Sequence, residues 1–174
     1  MRVYEDQAAS AGGGQALIAL LRAAGGSREQ RIDRALRVLI EQLGMQVAYV
    51  SEFRDGQRVV THSVSLPGGP VLPAGTTHPV EQTLCHLTAA GDLPALVGDA
   101  AADPLLAGHP HTAAFGVAAY VGVPLTAEGR VTGVLCCAAA IPAATLNPRD
   151  EATLRTVAGY LTGLFTDDVR VPAE

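Results

Sequence analysis

The chain has no lysine and no tryptophan, and all twelve of its basic residues are arginines. The missing lysine removes Schiff-base chemistry, lysine general bases and the lysine of a phosphate-binding loop, and a coding bias toward Ala, Gly, Arg and Pro accounts for it. Cysteine is scarce. Cys85, Cys136 and Cys137 make an odd count, two of them are adjacent, and no Cys-x-x-Cys pair exists. This excludes a disulfide scaffold and a structural zinc site. No apolar run approaches the roughly 20 residues that span a bilayer. The opening Met-Arg-Val-Tyr-Glu-Asp lacks the layout of a secretory signal, so a cytoplasmic location is expected. A formal net charge of -5 argues against nucleic acid, whose binding draws on a cationic surface.

What remains is a chain of 174 residues, 48% of them hydrophobic, enough for one cored domain with extensions. We divide it into an arm and apolar helix over 1–26, a domain over 27–168 and a tail over 169–174. Residues 1–14 end in Gly12-Gly13-Gly14 and read as a loose arm. The segment 15–24 is apolar nearly all round and calls for a partner, either the domain or a second chain. Ser27–Leu43 predicts a helix. Ser27 and Gln30 form a capping box, Ile32, Ala35, Leu36, Leu39, Ile40 and Leu43 share a face, and Gly44 stops it. Arg28, Arg31, Arg34 and Arg37 make a second stripe, read as a solvated face.

Residues 46–53 and 57–65 alternate like strands around Asp55-Gly56, a hairpin turn. Residues 66–79 hold four prolines and three glycines and read as an irregular loop of functional length. One short helix is expected over 80–90, a brief strand over 93–97 and small turns over 100–115. Residues 117–126 and 130–140 predict a second hairpin. Asn147-Pro148 opens the last helix, whose buried face carries Leu154, Val157, Ala158, Leu161, Leu164 and Phe165. The order is helix, hairpin, irregular middle, hairpin, helix. It predicts an α+β fold with the terminal helices on one face of a central antiparallel sheet and a cover of loops and short helices, enclosing a pocket, on the other.

The ordered set of motifs resembles a GAF domain over about residues 27–166. Gly44-Met-Gln-Val-Ala-Tyr-Val-Ser-Glu-Phe53 is similar to its first strand. Leu84-Cys85-His86, Gly91-Asp92-Leu93-Pro94 and Val97-Gly98-Asp99-Ala100 are similar to its central helix and short strand. Ala119-Tyr-Val-Gly-Val-Pro-Leu125 and Gly133-Val-Leu-Cys-Cys137 are similar to its closing hairpin, and Leu146-Asn-Pro-Arg-Asp-Glu-Ala-Thr-Leu154 to its final helix. The resemblance is to bacterial signalling modules. It implies a sensor that binds a small molecule under the middle segment and dimerises through its terminal helices, with an output domain or partner protein beyond.

Several chemistries compete for these residues. Cys85-His86 resembles the bilin-attaching pair of some members, but three Phe and four Tyr provide little ring packing. His62, His86, His109 or His111 could ligate haem, though no haem motif frames them. His109-Pro110-His111 is a weak metal candidate with only Asp103 nearby. A methionine sulfoxide reductase of this family would use cysteines around the pocket. Cys85 lies near one such place and the other two are not filled; Cys136 and Cys137 sit in a strand, one facing core and the other either the pocket or a covering helix, and read as small apolar residues rather than a resolving pair. No Gly-x-Ser-x-Gly elbow exists. Arg54, Arg58 and Arg130 are expected at solvent-exposed turns. Asp99 either accepts a ligand hydrogen bond or caps the turn after it. The expectation is a non-catalytic, cytoplasmic small-molecule sensor without metal or cofactor. Its ligand contacts would come from Tyr49, Ser51, Phe53, Cys85, His86, Asp99, Phe115, Tyr120 and Val121. The alternative is a ligand-free dimerisation module.

Overall fold

A computed structural model describes residues 14–167. The expected loose arm and the tail over 169–174 therefore lie outside the described residues, apart from Gly14. Helix α1 covers residues 14–23. It is followed by α2 (Arg28–Leu43), β1 (Val47–Arg54), β2 (Gln57–Ser65), β3 (Thr77–Pro79), a 3-10 turn (Val80–Gln82), α3 (Leu84–Ala90) and β4 (Leu96–Val97). A second 3-10 turn (Ala100–Ala102), α4 (Pro104–Ala107), α5 (Pro110–Ala114), β5 (Ala119–Ala127), β6 (Arg130–Ala139) and α6 (Pro148–Asp167) complete the order.

The strands form one sheet in the order β3-β2-β1-β6-β5-β4, antiparallel at every pairing. Each hairpin closes on two residues of positive φ, Asp55-Gly56 and Glu128-Gly129. That pattern matches the right-handed twist of the strands it joins. The capping box of α2 is formed, with the Ser27 hydroxyl accepting from the Gln30 amide and the Gln30 side chain accepting from the Ser27 amide. Asn147 caps α6 through its side-chain oxygen, which accepts from the Arg149 amide at 2.9 Å.

Alternation divides the strand residues between two cores. Ala48 and Val50 of β1, Ala119, Val121, Val123 and Leu125 of β5, and Leu135, Cys137 and Ala139 of β6 face α2 and α6. Val47 and Tyr49, Tyr120, and Val134, Cys136 and Ala138 face the opposite way. They lie beneath Leu72, α3 and α4, represented by Leu84, Cys85 and Leu106. A register shift at Val50/Ser51 leaves Thr61 of β2 without a partner in β1. Such a bulge reverses the parity of the strand, so Val60 belongs to the roofed face while Val64 joins the helix face.

Two expectations need correction, and a third is met in part. Residues 80–90 are not one helix: Thr83 adopts extended backbone between the 3-10 turn and α3, and its hydroxyl caps α3 by accepting from the His86 amide. The segment 66–79 is not wholly irregular, since Thr77–Pro79 add an edge strand to β2. The apolar α1 helix has found part of its partner within the domain: Leu21 is buried in the helix-face core and Leu17 and Ile18 pack against it, while Leu20 remains exposed.

Candidate functional site

The centre of the roofed face is polar. Tyr120 projects from β5 and its hydroxyl lies 2.9 Å from the Cys136 sulfur of β6 and 2.9 Å from Thr88 Oγ1 of α3. Gly122 makes this approach possible, because a Cβ there would come within 3.1–3.2 Å of all three of those polar atoms. On the β1 side, the Cys85 sulfur of α3 sits 4.0 Å from the Tyr49 hydroxyl and 3.9 Å from Ser51 Oγ. Tyr49 pairs directly with Cys136 across β1 and β6, so the two halves of the cluster are continuous.

Arg58 reaches into the same cluster from β2. It is 2% exposed. Its Nη1 points at the Cys85 sulfur, 3.7 Å away, and its Nη2 donates to His78 Nδ1 at 2.8 Å. Its Nε has no hydrogen-bond partner. No carboxylate pairs with it among the described ion pairs. A buried guanidinium without an anion is costly, and this one has only a thiol and an imidazole beside it. Around His78 the rings of His111 and Phe115 stack edge-on, with centroids 4.9 and 5.7 Å away.

The electrostatics follow from this geometry. A hydrogen bond from Cys136 is the largest influence on the Cys85 thiol. Burial opposes it, but with the Arg58 charge and the Ser51 hydroxyl the balance lowers Cys85 to about 6. Burial, and then the neighbouring Cys85, push Cys136 well up. Burial likewise raises Tyr49 and Tyr120. Cys137 lies among aliphatic side chains on the other face, where burial pushes it up to about 12. Desolvation lowers His78, His109 and His111, the last to about 4, and the positive charge of Arg58 adds to the effect on His78 and His111.

Of the expected contact residues, the structure brings Tyr49, Ser51, Cys85 and Tyr120 into this cluster, with Phe53 and Phe115 packed at its margin. Three lie elsewhere. Val121 faces α2 and α6, because its neighbour Tyr120 takes the roofed side and strand residues alternate. His86 is exposed, because it follows the fully buried Cys85 by one helical step of about 100°. Asp99 is exposed and caps the next turn, accepting from the Ala101 amide at 3.1 Å. Arg58 is a member of the cluster that the sequence reading does not include. Its closeness to the Asp55-Gly56 turn placed it in solvent, yet it shares parity with Val60, and that signal was available. His109 is also engaged: its Nδ1 accepts from the His111 amide and caps α5. Among the described residues no three His, Cys, Asp or Glu side chains gather as a metal site.

Open space and chemistry do not coincide. A groove of about 830 Å³ runs between α2 and β2 on the helix side, lined by Glu29, Asp33, Arg37 and His62 among others. Glu29 pairs with His62 and Asp33 with Arg37, both at 2.8 Å and near the surface, and Arg34 donates to the Gly25 carbonyl. The groove's own orphan is a neutral hydroxyl, Ser63 Oγ; the roofed cluster is the better candidate because its unpartnered atom belongs to a buried cationic guanidinium.

The antiparallel six-stranded sheet, helices on one face and short elements on the other, define an α+β domain of the GAF type. The GAF domain profile matches residues 27–162, and the chain belongs to that family of sensory and regulatory modules. Solved structures agree on the fold. A phycocyanobilin-bound GAF domain from a cyanobacterial phytochrome superposes with a TM-score of 0.71 at 14% identity, covering 88% of this chain and 94% of that one. The GAF domain of an Acinetobacter phosphoenolpyruvate-protein phosphotransferase gives 0.70 at 15% identity, covering 90% and 93%. Free methionine-R-sulfoxide reductase from Neisseria meningitidis, solved with its substrate, gives 0.67 at 19% identity, covering 88% and 86%. These likenesses are of fold alone. No curated protein matches the sequence significantly.

Proposed function

We propose that this GAF domain is a non-catalytic sensor that admits a small molecule bearing an acceptor or anionic group to the roofed face. It reports occupancy through α1, α2 and α6, as a homodimer, to an adjoining domain or partner protein. One observation carries this reading: the unpartnered Nε of Arg58, buried at the centre of a polar cluster. A ligand acceptor placed there would satisfy the N–H and neutralise the charge. The cover consists only of short elements, α3, α4, α5, two 3-10 turns and residues 66–76. Such pieces open at lower free energy than the helix-backed side of the sheet. Ligand contacts that favour the closed cover would shift the population toward it. The terminal helices offer an outlet because α2 packs against α6, and both rest on the sheet. Leu20, 70% exposed on α1, is an apolar contact for a second copy. The cytoplasm, where free thiols persist, suits the three unpaired cysteines.

Native mass spectrometry of the freshly isolated protein tests both parts. The expected spectrum is a dimer carrying extra mass that is released on denaturation and is lost in Arg58→Gln. A dimer with the bare mass of two chains would favour the ligand-free dimerisation module instead.

A further inference from the structure

We propose that Cys85 and Cys136 form a dithiol oxidised by hydroperoxides, with Cys85 attacking as a thiolate held by Arg58 and Cys136 resolving it to a disulfide. This goes beyond ligand sensing and needs no ligand. The argument starts from the buried guanidinium. Its Nη1 lies 3.7 Å from the Cys85 sulfur, its Nη2 is taken by His78, and no carboxylate among the described residues neutralises it. The acidic group in contact with it is a thiol, so an ionised Cys85 gives the buried cation its counter-ion. Ser51 and Tyr49 hydroxyls border the same sulfur and can donate to the anion.

The second sulfur completes the site. Cys136 belongs to the same buried cluster: its sulfur lies 2.9 Å from the Tyr120 hydroxyl, which also meets Thr88, one turn along α3 from Cys85, and Tyr49, its register partner, has its hydroxyl 4.0 Å from the Cys85 sulfur. The thiols are opposed in character, Cys85 lowered to about 6 and Cys136 raised, the order suited to an attacker and a resolver. Cys137 provides an internal control one residue away. It is equally buried, but faces the aliphatic core under α2 and α6. Hydrogen peroxide is nearly as small as water, and the cover of short elements needs only local opening to admit it.

The chemistry balances as follows. The Cys85 thiolate pair attacks one peroxide oxygen, the O–O bond breaks, and hydroxide leaves, giving a Cys85 sulfenic acid. The hydroxide takes the Cys136 proton and becomes water. The Cys136 thiolate attacks the Cys85 sulfur, the S–O bond breaks, and the second hydroxide is protonated from solvent. Two thiols lose two electrons in total, and peroxide is reduced to two waters. The disulfide carries no charge, so oxidation strips Arg58 of its counter-ion and unsettles the roofed face.

The test uses the full chain, reduced, then exposed to hydrogen peroxide under native conditions. Thiols are alkylated in denaturant and mapped by peptide mass spectrometry. The expected product is a Cys85–Cys136 disulfide, reversed by dithiothreitol, with Cys137 still alkylated. Cys136→Ser should leave a Cys85 sulfenic acid that dimedone traps. Arg58→Gln should slow oxidation by about tenfold or more, as the thiolate fraction at neutral pH falls. The proposal is overturned if Cys85 survives peroxide in folded protein, if Cys85 and Cys137 oxidise at equal rates, or if the disulfide joins Cys136 to Cys137. Should the variants not fold, the wild type decides alone. Cys85 alkylation should rise with pH through a midpoint near 6, and a midpoint shared with Cys137 would refute the assignment. Because these readouts involve no ligand, they stand whether or not native mass spectrometry finds one.

Discussion

The two faces of the sheet are built from alternate residues of the same strands, yet they differ in kind. Toward α2 and α6, the strands present Ala48, Val50, Val121, Val123, Leu135 and Cys137, an almost wholly apolar set under two long helices. Toward the cover they present Tyr49, Ser51, Arg58, Tyr120 and Cys136 among Val47, Val60, Val134 and Ala138, under helices no longer than seven residues. The first face is held by burial, worth roughly 25 cal/mol per Å² of apolar surface. The second has apolar burial of its own, from Val47, Val60, Leu84, Leu106 and Val134, but adds polar contacts, each worth only about 1 kcal/mol net when made and more when broken. A change of ionisation, oxidation or occupancy therefore acts on the second face and leaves the first as its frame.

The sharpest way to break this contrast is a matched pair of truncations. Leu154, 0% exposed on α6, should cost about 3 kcal/mol as Leu154→Ala, by lost transfer energy and the cavity left behind. Tyr120→Phe keeps the ring and removes a hydroxyl that bridges Thr88 and Cys136, so about 1–2 kcal/mol is expected. Urea denaturation monitored by circular dichroism checks both. The midpoint should fall at unchanged slope, more for Leu154→Ala. Equal losses would mean that the roofed face carries as much of the fold as the helix face.

Much of this contrast could be read from the sequence, and the parts that could not have physical reasons. The capping box at Ser27 and Gln30, the two turns and the apolar faces of α2 and α6 are local signals, and each appears in the structure. Local signals also placed Tyr49, Ser51 and Phe53 together, since strand parity is set along β1 alone. Parity across strands is not local. Val121 and Tyr120 were both assigned to the pocket although neighbours in a strand cannot share a face. The bulge at Thr61, which sends Arg58 and Val60 one way and Val64 the other, depends on how β2 meets β1. Arg58 was overlooked because arginine beside a turn is ordinarily solvated. Only the approach of α3, whose Cys85 lies 27 residues further along the chain, buries it.

A pH series sharpens the same comparison with a smaller effect. His78 on β3 and His111 on α5 feel the Arg58 charge, His109 caps α5 beside them, and all three are held below their ordinary value. For His111, at about 4 when folded against 6.5 unfolded, the unfolded chain takes up a proton first as pH falls. Stability is thus fully present above the unfolded value and drains away as pH drops toward the folded one. The thermal midpoint should decline between about pH 6.5 and 4, and His111→Phe should flatten that decline. Exposure of these rings to solvent keeps the effect modest. A decline unchanged in His111→Phe would move its origin away from this cluster.

His86→Ala is expected to do least, and that makes it the finest test of where the face ends. His86 adjoins Cys85 in sequence, and the pair invites a joint chemical role. Helical geometry separates them: Cys85 is fully buried against Arg58 and Ser51, while the His86 side chain points to solvent. Its contribution to the fold is its backbone amide, which donates to the Thr83 hydroxyl and which alanine preserves. Stability should therefore stay within about 0.5 kcal/mol of the parent. Retained ligand mass and the rate of Cys85 oxidation should also be unchanged. A slower oxidation at equal stability would show that the cover opens far enough for His86 to turn inward, and the boundary drawn here between responsive cluster and solvent would have to move outward by one helical step.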